Sequence, residues 1–88
     1  MQIKKLYEIS EHNGDNVVIQ TKYELDNSYI IYSYDYYGIN SRELKIYDNN
    51  DNCIFKYKHN DNGMSYYCEL NTDLFANIKN IFNIKKID

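Results

Sequence analysis

Tryptophan and proline are absent from this chain, glycine occurs three times, and cysteine and histidine twice each. With three glycines there is no glycine-rich loop to cradle the phosphates of a nucleotide. Two cysteines, Cys53 and Cys68, are too few for the disulfide framework that staples small secreted domains. They fall at inward positions of β-prone segments and read as small hydrophobes with free thiols. His12 and His59 fall in turn segments and read as solvated turn residues, so neither a general base nor a zinc pattern emerges. No apolar run approaches the ~20 residues of a membrane helix. The opening residues MQIKKLYEISEHN lack the continuous apolar stretch of a signal peptide, so a cytoplasmic location, in the producing cell or in a host, is the expectation.

One further absence concerns calcium. The run Asp48-Asn49-Asn50-Asp51-Asn52 resembles the start of an EF-hand loop, but such a loop needs glycine at its sixth position and glutamate at its twelfth. Here those positions hold Cys53 and His59. Asn- and Asp-rich runs of this kind are ordinary strand connections. No catalytic residue, metal site or cofactor is assigned, and the protein is expected not to be an enzyme.

What the chain does have is tyrosine, 11 in 88 residues. Tyr29, Tyr32, Tyr34, Tyr36 and Tyr37 crowd one segment. The length suits one domain with a single core, and 43% apolar with 26% charged residues is ordinary for a globular chain. The net charge is -3, and from Leu6 to Ser41 six acids (Glu8, Glu11, Asp15, Glu24, Asp26, Asp35) face one base, Lys22. An acidic, tyrosine-bearing region of this kind suits a basic partner.

Asn, Asp and Gly punctuate six short β-prone runs, at about 3–10, 16–25, 28–37, 43–48, 53–58 and 64–70, ahead of one helix at about 72–85. This predicts an α+β domain: a bent antiparallel meander sheet of five or six strands with the C-terminal helix packed on one face. Spacing does not say which strand the first one pairs with, nor whether the sheet curls into a partial barrel or leaves its second face open. Leu74, Phe75, Ile78, Ile81 and Phe82 form the apolar stripe of the helix, Asn71 or Thr72 caps it, and Lys85 and Lys86 favour its C-terminal end. Leu44, Ile46, Cys53, Phe55, Tyr57, Met64, Tyr66, Cys68 and Leu70 are expected in the core.

Register decides which rings face outward. Val17, Ile19, Thr21, Tyr23 and Leu25 alternate with Val18, Gln20, Lys22 and Glu24 and are expected inward. A three-residue loop, His12-Asn13-Gly14, pairs Ile9 with Val17 and Tyr7 with Ile19 and keeps carboxylates off the core. A two-residue turn at Asp26-Asn27 pairs Tyr23 with Ile30 and Thr21 with Tyr32. Because opposed residues share a face, this sends Ile30, Tyr32, Tyr34 and Tyr36 inward and Tyr29, Ile31, Ser33, Asp35 and Tyr37 outward. The outward set, beside Val18, Gln20, Lys22 and Glu24, is mixed aromatic, aliphatic and acidic.

Bases of single-stranded nucleic acid stack on sheet aromatics of this kind, but beside Arg and Lys that neutralise phosphates. The expected outward set has one lysine, Lys22, next to Glu24 and Asp35, the wrong sign for direct nucleic-acid binding. The expectation is therefore a small acidic protein that acts by protein–protein interaction. Its partner would be a larger basic protein, such as a nuclease or another nucleic-acid-binding protein, in the manner of phage anti-defence and immunity proteins. Glu24, Tyr29, Ile31, Asp35 and Tyr37 are the expected contact residues, and no membrane contact is foreseen. The alternative is a homodimer or larger homo-oligomer that binds a small molecule in a tyrosine-lined pocket.

Overall fold

The computed structural model describes residues 2–84. Six antiparallel strands follow in chain order: β1 (Ile3–Asn13), β2 (Asn16–Leu25), β3 (Tyr29–Tyr37), β4 (Ser41–Asp48), β5 (Cys53–Asn60) and β6 (Gly63–Cys68). Helix α1 (Thr72–Phe82) closes the described chain. The sheet is a meander, β1-β2-β3-β4-β5-β6, so each strand pairs with its sequence neighbour and the first pairs with the second. β1 and β6 are its two edges and the molecule measures 39 × 32 × 21 Å, which is an open sheet and not a closed barrel. No helix among the described residues is long and apolar enough to cross a membrane.

The helix lies on one face and seals a single core. Leu25, Ile31, Leu44, Ile46, Phe55 and Ile78 are fully enclosed, with Tyr57, Phe82 and Ile84 nearly so. Cross-strand pairing explains the set: Ile31 stands opposite Ile46, Ile46 opposite Phe55, and Leu44 opposite Tyr57. Met64, Tyr66, Cys68, Leu70, Leu74 and Phe75 pack around them, as the period-two and helical spacings predict. Ile81 departs from its expected place and is 47% exposed. The side chain of Asn71 accepts a hydrogen bond from the Leu74 amide at 2.8 Å, capping the helix. The other end turns off at Asn83 in the left-handed conformation, with the Ile84 amide donating to the Lys79 carbonyl at 3.0 Å. Lys85 and Lys86 lie outside the described residues.

The connections carry their own chemistry. Both Asp26 and Asn27 adopt positive φ, and the Ser28 amide donates to the Leu25 carbonyl at 3.1 Å. Ser28 is nevertheless unpaired, so β3 enters the ladder at Tyr29, opposite Leu25. The β4–β5 turn is organised by Asp48, whose carboxylate accepts from the amides of Asn50 at 2.9 Å and Asn52 at 3.0 Å. These bonds, that from Asn52 first, hold its carboxyl below the ordinary aspartate range. A depressed folded-state pKa adds stability that is complete above the unfolded value of ~3.9 and is lost as pH falls through the lower, folded one. The melting-temperature advantage of the wild type over Asp48→Ala is therefore expected to be constant from neutral pH to about 5 and to shrink steadily below ~3.9. An advantage independent of pH would show that the carboxylate plays no part.

Candidate functional site

Two registers differ from those expected, and together they redefine the uncovered face. In the first hairpin Asn13 pairs with Asn16 around a two-residue Gly14-Asp15 turn, so Tyr7 stands opposite Lys22 and Ile9 opposite Gln20. A bulge at Leu6 reverses the alternation of β1, so that Ile3 and Lys5, on its other side, share the helix-covered face with Leu25 and Tyr23. In the second hairpin the extra residue Ser28 slips the pairing by one: Tyr23 meets Ile31 and Lys22 meets Tyr32. A one-residue slip moves every side chain of a strand to the opposite face. The outward set expected on β3 is therefore the inward one.

The five expected contact residues scatter accordingly. Ile31 is in the core, 0% exposed. Tyr29 packs against that core and borders a hollow beside the helix N-terminus. Asp35 lies on the helix side, 3.4 Å from Arg42 Nε, and Arg42 also donates to the Phe82 carbonyl at 3.0 Å. That guanidinium meets the negative end of the helix and neutralises the carboxylate. The Nε contact is one of charge, without hydrogen-bond geometry. Tyr37 is 56% exposed, at the far end of the same face. Glu24 alone of the five lies on the uncovered face, opposite Lys4 and Ile30. The acids of the Leu6–Ser41 segment are likewise dispersed. Glu11 and Glu24 fall on the open face, Glu8 and Asp35 on the other, and Asp15 and Asp26 in turns.

The open face carries Tyr7 on β1, Tyr32, Tyr34 and Tyr36 on β3, Tyr47 on β4 and Tyr67 on β6. One row crosses all six strands as Tyr7, Lys22, Tyr32, Lys45, Lys56, Tyr67, each residue directly opposite the next. Along β3 the rings of Tyr32, Tyr34 and Tyr36 stack in a ladder, with centroids 6.4 and 6.5 Å apart and planes within 20° and 14°. Tyr47 meets Tyr32 edge to face at 5.8 Å. Lys22 Nζ stands 5.5 Å from the Tyr32 ring centre and 5.9 Å from that of Tyr7, and Lys45 Nζ 6.0 Å from that of Tyr34. Ammonium groups and ring faces thus share one surface, each within reach of the other's field.

Charge on this face has the opposite sign to that of the chain. Its strand positions hold Lys4, Lys22, Lys45, Lys56 and Lys58 against Glu11, Glu24 and Glu43. Glu43 is engaged by Lys45 at 4.0 Å and Lys58 at 3.6 Å. Burial, followed by the neighbouring Tyr47 and Tyr32 rings, pushes the Tyr34 hydroxyl up. Burial and Glu43 do the same for Tyr36. Tyr34 and Tyr36 thus stay neutral throughout the physiological range. Beside it Tyr7, Lys22, Ile30, Tyr32, Tyr34 and Tyr47 border a hollow of about 580 Å³ that is open to solvent and has Asp51 at its rim.

The chemistry elsewhere is thin. Both cysteines are free, and Cys68 stands opposite Phe55, not opposite Cys53. Burial and the adjacent Cys68 raise the Tyr66 hydroxyl to about 12. Among the described residues no three His, Cys, Asp or Glu side chains gather as a metal site would require. No protein-family model matches the chain, and neither a curated protein nor a solved structure matches it.

Lys45, Lys56, Lys58 and the inner tyrosines of β3 are the site residues that the sequence reasoning did not name. A signal for the lysines was present, because they alternate with the core residues Leu44, Ile46, Phe55 and Tyr57. What was missing was the register that sets them beside Tyr32 and Tyr34.

Proposed function

We propose that this protein is a non-enzymatic binding module whose working surface is the open face of the sheet. The observation that carries this reading is the uninterrupted tyrosine–lysine row across six strands, on the face the helix leaves bare. A merely solvated sheet face has no need of six tyrosines. The ring surface still open to water forgoes part of the ~1.5–3 kcal/mol that full burial of a large apolar side chain contributes, and a binding surface recovers that part when its partner arrives. The basic partner expected from the overall charge finds no concentrated acidic surface here, because the carboxylates of the Leu6–Ser41 segment are spread over both faces and the turns.

The test is capture from lysate by the wild type and by a Tyr32→Thr, Tyr34→Thr, Tyr36→Thr variant, with circular dichroism to verify that the variant is folded. Threonine keeps the strand preference of β3 while removing the rings. Loss of the retained material from a folded variant is the expected result. An unchanged profile would remove this face from the account.

A further inference from the structure

We infer that the open face receives single-stranded nucleic acid, with bases on the tyrosine rings and phosphates on the lysines. This rests on the reading of that face as the working surface. The ring ladder repeats at 6.4 and 6.5 Å, close to two base steps of ~3.4 Å each. Every base has a π-face, so such a ladder takes any sequence, and each stacked base adds substantially to affinity. Cations flank the ladder on both sides, Lys22 on β2 and Lys45, Lys56 and Lys58 on β4 and β5. Lys56 and Lys58 are exposed. The ion pairs of Lys45 and Lys58 with the half-buried Glu43 are long, 4.0 and 3.6 Å, and one carboxylate shared by two ammonium groups leaves positive charge for a phosphate. Glu24 stands opposite Lys4, and Glu11 lies on edge strand β1.

Charge separates this occupant from its rivals. A basic protein would meet five lysines against three glutamates, and a second copy laid face to face would set two faces of the same net positive charge together. A duplex hides its bases from the rings. Single strands offer both a polyanion and exposed planar groups, which is what the row Tyr7, Lys22, Tyr32, Lys45, Lys56, Tyr67 complements.

The test is fluorescence anisotropy of labelled twelve-nucleotide oligothymidine and oligouridine, with a duplex of equal length as control and salt varied from 20 to 200 mM. Both single strands are expected to bind, and the duplex at least tenfold more weakly. With four lysines engaged, the slope of log affinity against log salt is about -3. Tyr34→Thr is expected to weaken binding about tenfold. Lys45→Gln with Lys56→Gln, at positions where folding is not at stake, is expected to reduce the slope by roughly 1.4. Absence of binding at 100 μM protein in 20 mM salt overturns the inference. If the lysate capture still depends on the tyrosines, the face remains the working surface with a protein as occupant. Light scattering that shows a dimer abolished by the tyrosine substitutions also overturns the inference, in favour of a second copy. Oligonucleotide binding indifferent to both sets of substitutions overturns the inference and the reading of the face together.

Discussion

Lysine in place of Ile31 is expected to unfold this domain, whereas lysine in place of Ile30, one residue away, is expected to leave it folded. Ile31 is fully enclosed between Tyr23 on β2 and Ile46 on β4, under the helix. An ammonium there has no carboxylate opposite it in the ladder and is cut off from water, a loss beyond the 4–5 kcal/mol that marks exceptional substitutions. A domain of this length has a total stability of about 4–13 kcal/mol, so most or all of it is consumed. Ile30 points to the open face, between Glu24 and Tyr47. A lysine there reaches solvent and stands beside a carboxylate, at a cost of about 1 kcal/mol. Urea unfolding followed by far-ultraviolet circular dichroism reads both. The reverse ranking, with Ile30→Lys unfolded and Ile31→Lys stable, would restore the register with Tyr32, Tyr34 and Tyr36 inside and dissolve the face on which the functional proposal stands.

That pair of substitutions also marks where the sequence stopped being legible. The elements were readable: six strands and a helix lie within a few residues of where period-two runs, turn residues and the helical stripe put them. From β4 onward the faces were readable too, because Leu44, Ile46, Phe55 and Tyr57 alternate with lysines and a glutamate, except at Cys53, which a register shift sets opposite Tyr47 while Ile54 packs against the core in its place. β3 offered no such contrast. Its even positions are Ile30, Tyr32, Tyr34 and Tyr36, and its odd positions Tyr29, Ile31, Ser33, Asp35 and Tyr37. Hydropathy alone favours the even set for the core, yet Ser33 is buried opposite Thr21 and Leu44.

What overrode hydropathy was one residue in a turn. Asp26-Asn27 suggests a two-residue hairpin, and the two positive φ angles agree with that reading, but Ser28 belongs to the turn as a third residue and shifts β3 by one place. In the first hairpin the turn is Gly14-Asp15 and not the three-residue His12-Asn13-Gly14 loop expected, and the bulge at Leu6 then corrects the faces part-way along β1. Bulges of this kind leave no mark that local spacing can detect. Because Lys22 was placed correctly and Tyr32, Tyr34 and Tyr36 were not, rings and a cation that share a surface were assigned to opposite sides. An aromatic patch with an acidic rim became an aromatic patch threaded with lysine.

Phe55→Ala is expected to cost about 3–5 kcal/mol and to lower the melting temperature by roughly 12 °C or more. Phe55 is fully buried on β5 and is where sheet and helix meet. Its ring centre lies 5.8 Å from Tyr66 on β6, edge to face at 88°, and 6.0 Å from Phe75 on α1. Tyr66 and Phe75 close the triangle at 5.5 Å. The truncation therefore opens a cavity that three elements must relax into, and the helix cannot follow without giving up Ile78 and Phe82. Phe75→Ala, half-buried at the triangle's outer corner, is expected to cost less, and the double variant less than the sum. The coupling between Phe55 and Phe75 should be about 0.5–1.5 kcal/mol. Strict additivity would mean that α1 does not dock through this triangle. The docking of α1 would then rest on Ile78 and Phe82, which are buried in the same core, with Phe82 edge to face against Tyr23 at 5.3 Å.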